Sequence, residues 1–97
     1  MPLDPLKLLT LDASMQSPEA PHTICDEMQK FLRTPITEQE VRQAFEELKR
    51  LGLVQEHGRG PHPPPNDVWF IATPEGRATV EREWDLVFPG RGGDSEI

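Results

Sequence analysis

Positive charge is scarce in this sequence. Ten lysines and arginines stand against 17 aspartates and glutamates, for a formal net charge of −7 at pH 7. Proteins that bind DNA draw most of their affinity from lysine and arginine on phosphates. An acidic chain must therefore gather its cations on one face or be repelled. Cysteine is nearly absent: Cys25 stands alone, which excludes an internal disulfide. No apolar run is long enough to span a bilayer, so no membrane partner is expected. The segment Met1-Pro2-Leu3-Asp4-Pro5 has neither the basic region nor the long apolar stretch of a signal peptide. A cytoplasmic protein is expected.

Chemistry-bearing motifs are missing as well. There is no Gly-rich phosphate loop, no nucleophile elbow and no candidate triad; Ser14, Ser17 and Ser95 lie in flexible or terminal contexts. The expectation is a non-enzyme without a cofactor. His22 and Cys25 sit three apart and His57 and His62 flank a Pro-rich stretch, but a zinc site needs about four ligands converging tetrahedrally. This spacing matches no zinc signature, so no metal is expected. Cys25 then reads as a small buried hydrophobe.

What remains, over 97 residues, is one modest domain. Pro5 suits a first helical position, and Leu6, Leu8, Leu9 and Leu11 make a helix of 5–14 apolar on a broad face. Prolines 18 and 21 mark a loop. Thr23 reads as an N-cap with Asp26 three residues on, and Ile24, Met28, Phe31 and Leu32 follow at helical spacing, predicting a helix over 23–32. Pro35 breaks it. Thr37 and Glu40 form a capping box for a third helix, 37–51, in which Val41, Ala44, Phe45, Leu48 and Leu51 share one face and Gly52 is the stop. Residues 53–56 and 68–71 read as strands. Between them, Gly58 to Asp67 is too rich in glycine and proline for regular structure. Thr73-Pro74-Glu75 starts a last helix carrying Ala78, Val80, Trp84, Val87 and Phe88. The folded domain is expected over 1–88, with a mobile tail over 89–97.

Two segments carry a resemblance. Phe45-Glu46-Glu47-Leu48-Lys49-Arg50-Leu51-Gly52-Leu53-Val54 resembles the end of a recognition helix running into the wing of winged-helix regulators. Phe70-Ile71-Ala72-Thr73-Pro74-Glu75-Gly76-Arg77 resembles the strand-to-helix junction after the wing in PadR-like and MarR-like groups. The resemblance covers about residues 5–88. It implies an α+β, mainly α fold: a winged helix-turn-helix with three helices, a two-stranded wing hairpin and a C-terminal helix. It also implies that the segment before the second helix pairs beside the wing sheet, bringing His22 near His57.

For function the resemblance implies a transcriptional regulator reading double-stranded DNA with helix 37–51 and wing 55–70. Thr37, Gln39, Arg42 and Gln43 would face the major groove, Lys49 and Arg50 the backbone, and Arg59 the adjacent minor groove. Glu38 and Glu40 depart from the pattern. On residue chemistry alone the same helix reads as a solvated face with i,i+4 pairs Glu38–Arg42 and Glu46–Arg50. The wing tip, Gly58 to Asn66, reads equally as a proline-stiffened loop, or as an extended segment for a protein partner. Two readings stay open: a DNA-binding regulator, and an acidic winged-helix module that binds another protein. A homodimer is expected, its seam formed by Leu8, Val80, Trp84, Val87 and Phe88, with Glu81, Glu83 and Asp85 facing solvent.

Overall fold

The computed structural model describes residues 2–64 and 66–90. The remainder of the expected tail, 91–97, lies outside the described residues. The elements run α1 (Pro5–Ala13), α2 (Pro21–Leu32), α3 (Glu38–Arg50), β1 (Val54–Arg59), β2 (Val68–Ala72) and α4 (Pro74–Val87). β1 and β2 pair antiparallel. Residue 19 makes a further bridge to Phe70 through two backbone hydrogen bonds of 2.9 and 2.8 Å. No helix among the described residues is long and apolar enough to cross a membrane.

α1, α3 and α4 each start where a side chain takes up an orphan N–H. Asp4 accepts the Lys7 N–H at 2.9 Å ahead of Pro5. Thr37 and Glu40 close the expected capping box, Thr37 Oγ1 accepting the Glu40 N–H at 3.1 Å and Glu40 Oε1 the Thr37 N–H at 2.9 Å. Thr73 accepts the Gly76 N–H at 3.1 Å.

α2 departs from expectation. It begins at Pro21, and Thr23 lies inside its first turn, accepting the Ala20 N–H at 3.0 Å. The bridge at Glu19 delivers the chain directly to Pro21, whose missing N–H suits that position. At the far end Arg33 takes a left-handed conformation, φ 56°.

The wing also differs. β1 runs through Gly58 to Arg59, past the expected end at Glu56. The register shifts between Glu56 and Gly58, so His57 is an extra residue opposite β2, a bulge that lets pairing resume. The Gly60 N–H then closes the hairpin on the Asp67 carbonyl at 2.8 Å.

The core lies where α1, α2, α3 and α4 meet one face of the hairpin. Leu8, Leu11, Met28, Val41, Phe45, Leu48 and Phe70 are almost wholly buried. Phe45 of α3 stacks on Phe70 of β2 at 4.6 Å and 12°. Cys25 is buried as expected, its thiol donating to the Ile36 carbonyl at 3.1 Å. Burial, then the charges of Glu38, Asp26 and Glu40, push that thiol's pKa up.

α4 corrects two expectations. Leu8, Val80 and Phe88 are buried within the single chain, because α4 packs across α1 and α2; Phe88 meets Phe31 edge-on at 5.3 Å. They fill this chain's own core. Glu83 is buried, its Oε1 accepting the Leu3 N–H at 2.8 Å, whereas Glu81 and Asp85 are exposed.

A tight contact joins α4 to the end of α3. A Cβ on Gly76 would lie 2.1 Å from the Leu53 carbonyl oxygen and 2.9 Å from Leu11 Cδ1. Backbone cannot yield as a side chain can, so Gly76→Ala is expected to lower unfolding stability by ~1–3 kcal/mol in a urea titration. Wild-type stability in that variant would contradict the packing.

Asp12 sits in the last turn of α1, where burial pushes its carboxyl pKa above the ordinary value and a negative charge opposes the helix dipole. The folded state thus holds a proton more tightly than the unfolded one. The resulting destabilisation is present at neutral pH and disappears as pH falls below the ordinary carboxylate range. Asp12→Asn is expected to melt higher than wild type at pH 7, with the gap closing near pH 3. An equal gap at both values would rule out the titration as its cause.

Candidate nucleic-acid interface

α3 buries Val41, Ala44, Phe45 and Leu48. Its opposite pole follows from the 3.6-residue period: Gln39, Gln43, Glu46 and Arg50, at i, i+4, i+7 and i+11, are all exposed. Arg42 is half-buried on the flank and, among the described residues, has no hydrogen-bond or ion-pair partner. Thr37, at the N-cap, is exposed with its hydroxyl committed to the capping box.

The other expected contact residues are engaged. Lys49 donates to Glu56 of β1 at 2.7 Å. The hydrogen bond and the charge of Glu56 raise the lysine's pKa, and the same contact lowers that of Glu56, so the pair stays ionised across neutral pH. Arg50 pairs with Glu47 at 2.5 Å, one residue from the expected Glu46. Arg59 reaches both carboxylate oxygens of the buried Asp67 at 3.3 Å. Glu38 does not pair with Arg42. Its Oε1 meets His62 Nε2 at 3.2 Å and Asn66 Nδ2 at 3.5 Å, both on the wing tip.

The tip therefore lies against the N-terminal ends of α2 and α3. His22, near the start of α2, stacks on His62 at 4.1 Å and 9°, and meets Trp69 of β2 edge-on at 5.7 Å. The expected approach of His22 to the wing is realised on His62 and not on His57, which is exposed on the bulge. Sequence reasoning missed Asp67, Asn66 and Trp69. The available signal was the pairing of the segment before α2 with the wing sheet, which places His22 next to β2. Among the described residues no group of three or more His, Cys, Asp or Glu is placed to hold a metal ion.

The surface thus sets a helix pole and a wing tip side by side, with most flanking carboxylates held by intramolecular partners. Glu38 goes to the wing, Glu40 to the N-cap, Glu47 to Arg50, Glu56 to Lys49 and Asp67 to Arg59. Glu46 alone stands on the pole without a hydrogen-bond or ion-pair partner among the described residues, its charge felt by Lys49.

No family model and no curated protein sequence matches the chain. Solved structures do. A transcriptional regulator from Clostridium thermocellum superposes with a TM-score of 0.65 at 19% identity, over 84% of this chain and 81% of that one. A PadR family transcriptional regulator from Eggerthella lenta gives 0.63 at 16% identity, over 84% and 73%. PadR from Bacillus subtilis, solved in complex with operator DNA, gives 0.68 at 11% identity over 99% of this chain; the chain spans 54% of that protein's length. At such identities the likeness speaks for the fold: the chain is a winged helix-turn-helix whose structural neighbours include PadR-family transcriptional regulators.

Proposed function

We propose that the protein is a cytoplasmic transcriptional regulator that binds duplex DNA through the exposed pole of α3 and the wing. The observation that carries this reading is the pole itself. Gln39 and Gln43 stand exposed beside Arg42, which has no hydrogen-bond or ion-pair partner among the described residues; these are the side chains that pair with adenine and guanine edges. Most neighbouring carboxylates are already taken by the protein's own donors. Lys49 and Arg50 serve the backbone by exchange: exposed ion pairs are weak and screened by salt, so a phosphate competes with Glu56 or Glu47 for the cation. Arg59 is the exception, because leaving Asp67 buried and unpaired is costly. It contacts DNA while still holding Asp67.

The protein acts as a homodimer in this reading. Leu86 is 68% exposed on α4 beside the half-buried Trp84 and Val87, and a two-fold axis there would match a two-fold DNA site. Sedimentation should give a dimer that Leu86→Glu converts to monomer; a wild-type monomer excludes this part.

A second reading, a protein-binding module that leaves DNA alone, is favoured by one observation: Lys49, Arg50 and Arg59 all sit in internal ion pairs. Fluorescence anisotropy of a labelled random duplex at low and near-physiological salt separates the two. The regulator binds, and its affinity falls linearly on a log–log plot against salt. Arg42→Ala weakens binding and flattens that slope by about 0.9 if Arg42 neutralises one phosphate, or lowers affinity at unchanged slope if it reads a base. No binding at low salt overturns the proposal in favour of a protein partner.

A further inference from the structure

β1, anchored at the C-terminal end of α3, has six residues and spans roughly 20 Å at about 3.3 Å each. α3, with 13 residues, is also about 20 Å long at 1.5 Å each. The hairpin therefore carries its tip back to the first turn of α3, the turn that the DNA-binding reading turns toward base edges. Glu38 is the first residue of that turn.

A carboxylate there is expected to repel a duplex. Its surroundings indicate another use. One oxygen, Oε1, receives both His62 Nε2 and Asn66 Nδ2. Behind His62, the His22 ring stacks at 4.1 Å. Trp69 meets that His22 ring edge-on at 5.7 Å and lies so near the end of β1 that a Cβ on Gly60 would come 2.4 Å from its Nε1. Groups from α2, α3 and the tip thus meet at Glu38 and His62, with Trp69 of β2 edge-on to His22.

We propose that Glu38 is a positioning residue: it latches the wing tip to the first turn of α3, so that helix and wing present one surface in a fixed relation. The functional half of this inference rests on the regulator reading above; the latch itself does not. Repulsion and latching predict opposite signs. If Glu38 only repels phosphates, Glu38→Gln and Glu38→Ala both tighten duplex binding. If it latches the wing, Glu38→Gln keeps the acceptor oxygen and binds at least as tightly as wild type. Glu38→Ala then loosens the tip and binds more weakly, despite having one negative charge fewer.

The experiment is amide hydrogen exchange of the full chain, followed by anisotropy with a random duplex, for wild type, Glu38→Gln, Glu38→Ala, His62→Ala and the Glu38→Ala/His62→Ala double variant. Losing a hydrogen bond to a charged group should speed exchange of the Gly60 amide by about tenfold in Glu38→Ala and His62→Ala. α3 amides and Glu38→Gln should stay near wild type, and the double variant should be no faster than either single one, as expected of one coupled pair. Wild-type exchange in Glu38→Ala, or additive effects in the double variant, overturns the latch. Tighter duplex binding by Glu38→Ala overturns its role in positioning. If wild type binds no duplex, the regulator reading fails, and the exchange data still decide the latch.

Discussion

The clasp between the end of α3 and the start of α4 is the constraint on which the rest of the structure depends. Gly52, in the left-handed conformation at φ 78°, lets its N–H reach the Lys49 carbonyl at 2.9 Å while the Leu53 N–H reaches that of Leu48 at 2.9 Å. Both bonds close the helix and turn the chain toward β1. Thr73 then fastens the turn from the other side. Its hydroxyl donates to the Gly52 carbonyl at 2.8 Å, its N–H donates to the Leu53 carbonyl at 3.0 Å, and its oxygen caps α4 through Gly76. Gly76 packs its bare Cα against the same Leu53 carbonyl. Residues on either side of the wing thus satisfy one another. This sets the direction in which the wing leaves α3, and with the Phe45–Phe70 stack it fixes the helix against the sheet.

That frame changes the meaning of the acidic charge. A net charge of −7 argues against DNA only if the carboxylates face it. Near α3 most are turned to local structural tasks, as caps, ion-pair partners or anchor for the wing. The cations are drawn into the same network, so the exposed pole is left largely to amides, with Arg42 on its flank. A surface of this kind favours short-range recognition by hydrogen bonds over long-range attraction by charge.

Most of the fold was legible because its signals are local. Thr37 with Glu40, Gly52, and Thr73 with Pro74 are each read within four residues, and the structure uses them as read. The errors came from contacts distant in sequence. Thr23 looked like a cap because the pairing of Glu19 with Phe70, which delivers the chain to Pro21, leaves no local mark. Gly58 looked like the start of an irregular loop because a bulge at His57 needs a partner strand to be visible. Val80 and Phe88 looked like a seam because a helix stripe shows that a face is apolar and says nothing of what covers it. At the site, exposure of Gln39 and Gln43 followed from helical period. The pairing of Glu38 with His62, 24 residues on, did not.

The most direct test is a heteronuclear NMR titration of the labelled protein with a short duplex, following backbone amides. The account predicts shifts at Gln39, Arg42 and Gln43 together with those at Arg59 and His62, all on one binding curve, because helix and wing move as a single surface. Shifts confined to α4, or separate curves for α3 and the wing, would contradict it.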